Sequence, residues 1–346
     1  MKNFYKKKKL TKNILIVDGQ PGCGKTLFNR IFNSFKNIEI FKYSSEIENL
    51  TSFYYHKKIS FDAAKFFLET YTDENLYSQM MGRNTNFRYS DLSSVFQSSK
   101  KIEYIKRIFN RGDEVIPDLI NKKKPILHFA THNVFPRSEI LFKTFEKNLR
   151  FINIVRHPIY MIHQQALNHI EFFKNPARQL TQTFEFNKKE VPIIWEKKLH
   201  LYDKIHNPFE KAIFQMNEIN NINKTTENKI IKKYKKNFLK IPFEIFVLKP
   251  DKFKSKIEKF LNVKYDKSVL KTLKKEKVPR SKIIDGRDVP IYRKYGWKDG
   301  NRKFNEKEEI LNKFDFIKSQ KVSIKLIDIL KKLSEDYEND YLRKIL

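Results

Sequence analysis

The first regular signal in the pattern of apolar and polar positions is Asn13-Ile-Leu-Ile-Val-Asp18, an unbroken run rich in β-branched residues between Lys12 and Gly19. Such a run predicts a strand buried on both faces of a parallel sheet. Straight after it, Leu27, Ile31, Phe32 and Phe35 recur at helical spacing, so the opening unit reads strand, loop, helix. Residues 44–121 read as a helical insertion. In it Ala63, Ala64, Phe67 and Leu68 form a packing face, Phe66, Phe67 and Tyr71 read as core, and the stretch from Gly82 to Ser94 is polar and irregular. Further strands are expected at Pro125–Ala130, Phe151–Val155 and Ile241–Val247, the last followed by a helix from Asp251 to Leu261, and residues 321–346 read as a C-terminal helix. There is no internal repeat and no Gly/Ser-rich or Pro-rich linker. The economical reading is one domain over residues 1–346, with a parallel sheet between helices and ligands at the carboxyl ends of its strands.

Composition narrows the class. The chain has 346 residues and a single cysteine, Cys23, so it has no internal disulfide and no zinc-site spacing, which fits a reducing, cytoplasmic setting. No stretch approaches the roughly 20 apolar residues of a membrane helix, and the basic start, Met1 to Lys9, has no apolar h-region. The formal net charge of +31 comes from lysines spread along the whole chain, many on solvated helix faces such as Lys232, Lys233, Lys235 and Lys236. With no zinc finger, RNP signature or GXXG loop, a nucleic-acid partner is not expected, but a positive field attracts anionic small molecules.

The sharpest motif is Gly19-Gln-Pro-Gly-Cys-Gly-Lys-Thr26, which satisfies G-x-x-x-x-G-K-[ST] between an expected strand and an expected helix. Three of the eight glycines of the chain fall in it. Glycine lets a backbone curl around a phosphate with its N–H groups inward. Lys25 adds a full charge and the following helix its positive dipole end. The fold class is therefore α/β, a P-loop-type parallel sheet flanked by helices, with a helical insertion after the first βα unit. A Walker NTPase also needs a carboxylate at a neighbouring strand end to help hold Mg²⁺. Here the later strands run instead into Thr131-His132 and Arg156-His157-Pro158.

Taken in order along the chain, five segments resemble the PAPS-dependent sulfotransferase family, from residue 13 to about residue 316. Gly19 to Leu27 resembles the 5′-phosphosulfate loop, and Ala130-Thr131-His132 the strand ending in K-T-H. Phe151 to Pro158 is similar to I-V-R-[ND]-P, Ile241 to Phe246 with Phe260-Leu261 to Y-E-D-L…F-L, and Tyr292 to Trp297 to the R-K-G…G-D-W region that covers the nucleotide. Three departures are plain: the loop cation is Lys25, whereas the family has its basic residue at the position of Gly22; Gln164 stands where a serine helps bind the 3′-phosphate; and Gly296-Trp297 is shifted and lacks the intervening acid.

The resemblance implies a sulfuryl transfer from 3′-phosphoadenosine 5′-phosphosulfate (PAPS) to an acceptor hydroxyl, with a carbohydrate among the candidates and no metal expected. It implies that Gly19, Gly22, Cys23, Gly24, Lys25, Thr26 and Leu27 hold the 5′-phosphosulfate, and that Arg156, Gln164, Arg293 and Lys294 hold the 3′-phosphate side. His132 becomes the general base, since an imidazole with an ordinary pKa of about 6.5 suits proton removal near neutrality, and Lys25 steadies the leaving oxygen. Arg83 and Arg88, in the irregular stretch, are candidates to meet an anionic or sugar-like acceptor. His128, His157 and His163 read as packing or surface residues. Two other readings stay open: a P-loop kinase using ATP and Mg²⁺, and a non-catalytic nucleotide-binding module.

Overall fold

The structure is a computed structural model that describes residues 3–171, 182–286 and 303–343. It opens with β1 (Ile14–Asp18) and α1 (Lys25–Asn33), then a short edge strand β2 (Lys42–Tyr43). The helical insertion follows as α2 (Ser45–Tyr55), α3 (Phe61–Met80), α4 (Lys101–Arg107) and α5 (Ile116–Lys123). Next come β3 (Leu127–Ala130), α6 (Glu139–Phe145), β4 (Leu149–Val155) and α7 (Ile162–Glu171). A hairpin of β5 (Thr183–Phe186) and β6 (Lys189–Pro192) leads into α8 (Leu199–Lys204) and α9 (Pro208–Tyr234). The chain continues through β7 (Phe238–Pro242), α10 (Phe243–Leu248), α11 (Asp251–Leu261) and α12 (Lys267–Lys275), and the described residues end with α13 (Glu306–Ser319) and α14 (Ile324–Tyr337).

The main sheet has five strands in the order β2-β3-β1-β4-β7, and every pairing in it is parallel. Alternation along β1 divides the core between its two faces. Leu15 and Val17 point toward Phe28, Ile31 and Phe32 of α1 and toward the C-terminal helices, while Ile14 and Ile16 pack with Leu127, Phe129 and Phe151 and with helices of the insertion. Both faces are covered, which is why β1 reads as a continuous apolar run. The expected α/β, P-loop-type sheet flanked by helices is the architecture observed. No helix among the described residues is long and apolar enough to cross a membrane.

Three expectations are corrected. The strand expected at Ile241–Val247 lies earlier, at Phe238–Pro242, and Phe243–Leu248 is a helix. Pro242 has no N–H to extend a ladder, and Val155, its partner in the register, is the last residue of β4. The run Phe243–Val247 is still buried, and a short buried apolar run does not by itself separate strand from helix. In α3, Ala64, Leu68, Leu76 and Met80 form the buried face, whereas Phe66 and Phe67 are 36% and 43% exposed, so neither is core. Tyr71 is half-buried, stacked between Phe67 and Phe129. The expected C-terminal helix begins at Ile324 and passes into a π-helical turn, Glu338–Leu342, with residues 344–346 outside the description.

Candidate active site

The glycine loop leaves β1 at the centre of the sheet. Gly22 and Gly24 both have φ of 88°, and Gly24 in this left-handed conformation is the N-cap of α1. A side chain at Gly24 would be strained by that backbone and would stand 2.3 Å from Cε2 of Phe243. The Cys23 N–H closes on the Gln20 carbonyl and the Leu27 N–H on the Gly24 carbonyl, both at 3.1 Å. The first amides of a helix have no intrahelical acceptor, so the turn from Gly24 to Thr26 presents N–H groups and the positive helix end at one mouth. Lys25 is buried, and its Nζ donates to the carbonyls of Gly19 at 2.6 Å and Gln20 at 3.2 Å. A longer contact to Cys23 Sγ, at 4.0 Å, completes the hold on the ammonium within the loop, and Lys25 also lines the cleft.

Neighbouring elements brace the loop. Arg156, just beyond β4, donates from Nη1 to the Gly22 carbonyl at 2.8 Å, its guanidinium lies 4.4 Å from the Phe243 ring centre, and its Nε is 3.6 Å from buried Glu244. Gln165 on α7 donates to the side chain of Gln20 and the carbonyl of Pro21. The Gln164 side chain approaches Gly22 so closely that a Cβ there would meet its Oε1 at 3.2 Å. Arg280 faces the same Phe243 ring, 5.4 Å from its centre.

Asp18, at the end of β1, is fully buried and has a structural task. Its carboxylate accepts from Thr131 Oγ1 at 2.8 Å and from the amides of Val134 at 3.2 Å and Phe135 at 2.8 Å. These bonds fix the chain leaving β3, which carries His132. A carboxylate on α2 then sets the imidazole: Glu48 Oε1 accepts from the His132 amide at 2.7 Å and lies 3.0 Å from its Nδ1. A carboxylate only accepts, so Nδ1 carries a proton, and in the neutral ring it is Nε2 that keeps the lone pair. Ser44 caps α2 by accepting from the Ile47 amide, which fixes the turn that bears Glu48. On its other side the His132 ring stacks on Tyr43, centroids 5.6 Å apart and planes 11° apart, and the Tyr43 hydroxyl lies 3.3 Å from Thr26 Oγ1.

These groups share one cleft of about 1340 Å³, lined by the loop from Pro21 to Leu27 apart from the buried Cys23, and by Tyr43, Glu48, His132, Arg156 and Gln164. That exceeds the ~300–1,000 Å³ of usual single-ligand pockets and leaves room for a nucleotide and an acceptor together. The expected site residues are not all there. Gly19 and Cys23 line a second cavity behind the loop, and the Cys23 thiol is enclosed, its pKa pushed up by burial. Arg88 lines the cleft, but its side chain is 78% exposed and paired with Asp91 at 3.3 Å, while Arg83 is exposed and outside the lining. Arg293 and Lys294 lie outside the described residues. His128 is the buried packing residue expected: its Nε2 meets Asn29 Oδ1 at 3.0 Å, and burial lowers its pKa to about 3. His157 is likewise buried, its Nδ1 accepting from the Ile159 amide, and half-buried His163 packs against Phe209 and Phe316. Sequence reasoning missed Glu48, Tyr43, Arg137 and Arg280, all lining the cleft. Only Glu48 had a local signal, its place in the first turn of a serine-capped helix.

No family model matches the sequence, and no curated protein matches it. Solved structures to which it is similar are sulfotransferases, the family its motifs resemble. The sulfotransferase domain of the Synechococcus PCC 7002 olefin synthase is 13% identical, with 93% of this chain and 100% of that one covered and a TM-score of 0.39. The sulfotransferase domain from the curacin biosynthetic pathway is 13% identical, covering 90% and 99%, with a TM-score of 0.40. The mouse sulfotransferase SULT7A1, solved with PAP, is 14% identical, covering 94% and 89%, with a TM-score of 0.33. These likenesses assign no role to any residue here.

Proposed function

We propose that this chain is a sulfotransferase that moves a sulfuryl group from PAPS to an acceptor hydroxyl within a single domain spanning residues 1–346. The observation that carries the reading is the convergence, on one cleft, of the glycine loop with Lys25, the Glu48-oriented His132 at the end of β3, and Arg156 at the end of β4. An anion-binding loop, a base and a second cation are what a transfer between a polyanionic nucleotide and a hydroxyl requires. The loop amides, Lys25 and Thr26 bind the 5′-phosphate. Arg156 and Gln164, with Arg280 beside them, attract the 3′-phosphate. Arg293 and Lys294 keep the role implied by the motif resemblance.

In the transfer, the acceptor hydroxyl gives its proton to Nε2 of His132 while its oxygen bonds to sulfur. The bond between sulfur and the bridging phosphate oxygen breaks, leaving a sulfate ester and 3′-phosphoadenosine 5′-phosphate (PAP). The charge that develops on the leaving oxygen falls at the loop amides and the Lys25 ammonium. Glu48 holds the imidazole in the tautomer that can accept and balances the imidazolium that forms. The cleft lining includes the amide side chains of Asn49, Asn168, Gln182 and Gln215, which suit a polyhydroxylated acceptor such as a carbohydrate.

A thermal-shift comparison of PAP with ATP plus magnesium tests the donor, because a ligand that prefers the folded state raises the midpoint by mass action. A rise with PAP that chelator leaves intact is expected. A rise with ATP and magnesium alone would replace this reading with a kinase.

A further inference from the structure

Arg137 follows the turn that Asp18 pins, and it lines the cleft on the same stretch of chain as His132. Its guanidinium is poorly satisfied for a half-buried group. Nη2 reaches the Asn133 carbonyl at 3.3 Å, Nη1 reaches Ser52 Oγ at 3.5 Å, and Nε is shut away from solvent with no hydrogen-bond partner. Among the described residues no carboxylate lies within ion-pair distance of it. Asp18 and Glu48 act on it only through longer-range attraction, each already engaged by other donors. Burial also pulls its pKa down, the expected direction for a cation that lacks a contact partner.

Enclosed guanidinium groups are ordinarily paired, because an uncompensated charge away from water is costly. Several other ionisable groups around the cleft do have an opposite partner. Arg88 has Asp91, Lys313 has Glu309, His56 has Glu196 and His132 has Glu48. Resting on the transfer reading above, we propose that Arg137 is the anchor for an oxyanion carried by the acceptor, so that the substrate is an acidic, polyhydroxylated molecule such as a uronic acid or an already sulfated sugar. A planar guanidinium can grip a carboxylate or a sulfate ester through two parallel bonds, which fixes orientation as well as position. From Arg137 the bound molecule extends along the chain toward Nε2 of His132, five residues before it, where its hydroxyl reacts.

The competing explanation is that Arg137 merely offsets the buried charge of Asp18. Calorimetry on the full chain saturated with PAP separates the two, using glucuronate, glucose 6-sulfate and glucose as probes. The expected result is that one or both acidic sugars bind roughly tenfold or more tightly than glucose, that Arg137→Gln erases the difference and that Arg137→Lys keeps part of it. The Lys variant keeps the charge, so it also serves if the Gln variant folds poorly. Whichever acidic sugar shows the preference identifies the oxyanion. Equal binding of all three sugars by the wild type, or a preference that survives Arg137→Gln, overturns the proposal. Should PAP fail to bind while glucuronate still binds in an Arg137-dependent way, the anion site stands and the donor assignment falls.

Discussion

Replacing Glu48 tests the catalytic arrangement at the residue that the sequence did not reveal. One carboxylate oxygen serves both the amide and Nδ1 of His132, at 2.7 and 3.0 Å. In Glu48→Gln the amide oxygen can still accept from both, so the tautomer survives and only the charge is lost. Hydrogen bonds to charged groups contribute about 1.5–3 kcal/mol against about 0.5–1.5 for neutral ones, so the change costs about 1 kcal/mol, a five- to tenfold fall in kcat. The lower end is favoured because the His132 side chain is 43% exposed, which screens the pair. Glu48→Ala loses the whole interaction, about 1.5–3 kcal/mol or roughly 10- to 150-fold, and His132→Asn removes the base itself, about 10²- to 10⁴-fold. Because Glu48 acts through His132, the Glu48→Ala/His132→Asn double variant should be no slower than His132→Asn alone. The assay is transfer of labelled sulfate from PAPS to a saturating acceptor, with PAP affinity measured in parallel to show that the loop is intact. Wild-type kcat in Glu48→Ala, or losses that multiply in the double variant, would refute the account of an oriented base.

Three further outcomes follow from the same geometry. Gly24→Ala places a methyl on a φ of 88° and against Phe243, so it should lose about 1–2 kcal/mol or more in urea unfolding and bind PAP far more weakly. Asp18→Ala leaves the amides of Val134 and Phe135 without their acceptor and should cost about 3 kcal/mol, with kcat falling as the His132 segment loosens; unchanged turnover would show that the segment holds itself. Buried His128 has its pKa lowered to about 3, so between that value and the ordinary ~6.5 the unfolded chain binds the extra proton and stability falls as pH drops. Unfolding free energy should therefore decrease by about 2 kcal/mol more from pH 7 to pH 5 in the wild type than in His128→Gln; equal pH slopes would mean that His128 protonates in place.

The sequence by itself determined the parts of this protein that depend on near neighbours. The run Ile14–Asp18, the glycines at 22 and 24 and the helical spacing from Leu27 onward dictate strand, anion loop and helix, because each rests on backbone preference and burial over a few residues. The residues that end β3 and β4, His132 and Arg156, were legible too, since a parallel sheet sends its strand ends to one edge. Patterning failed where burial does not specify a period, as at Phe243–Val247, and where a single step along a helix crosses from an exposed to a buried position, as from Phe67 to Leu68.

Tertiary structure alone decided what surrounds the base. Glu48 and His132 are 84 residues apart, and they meet because α2 starts from the edge strand beside β3, a topological fact with no trace in either segment. Tyr43 reaches His132 for the same reason, and Arg137 is left without a carboxylate because the nearest ones are already engaged by other donors. Local sequence sets which groups can bind phosphate or move a proton. Which of them face one another, and which charge is left for a substrate to neutralise, is settled only when the sheet brings distant strand ends to a common edge.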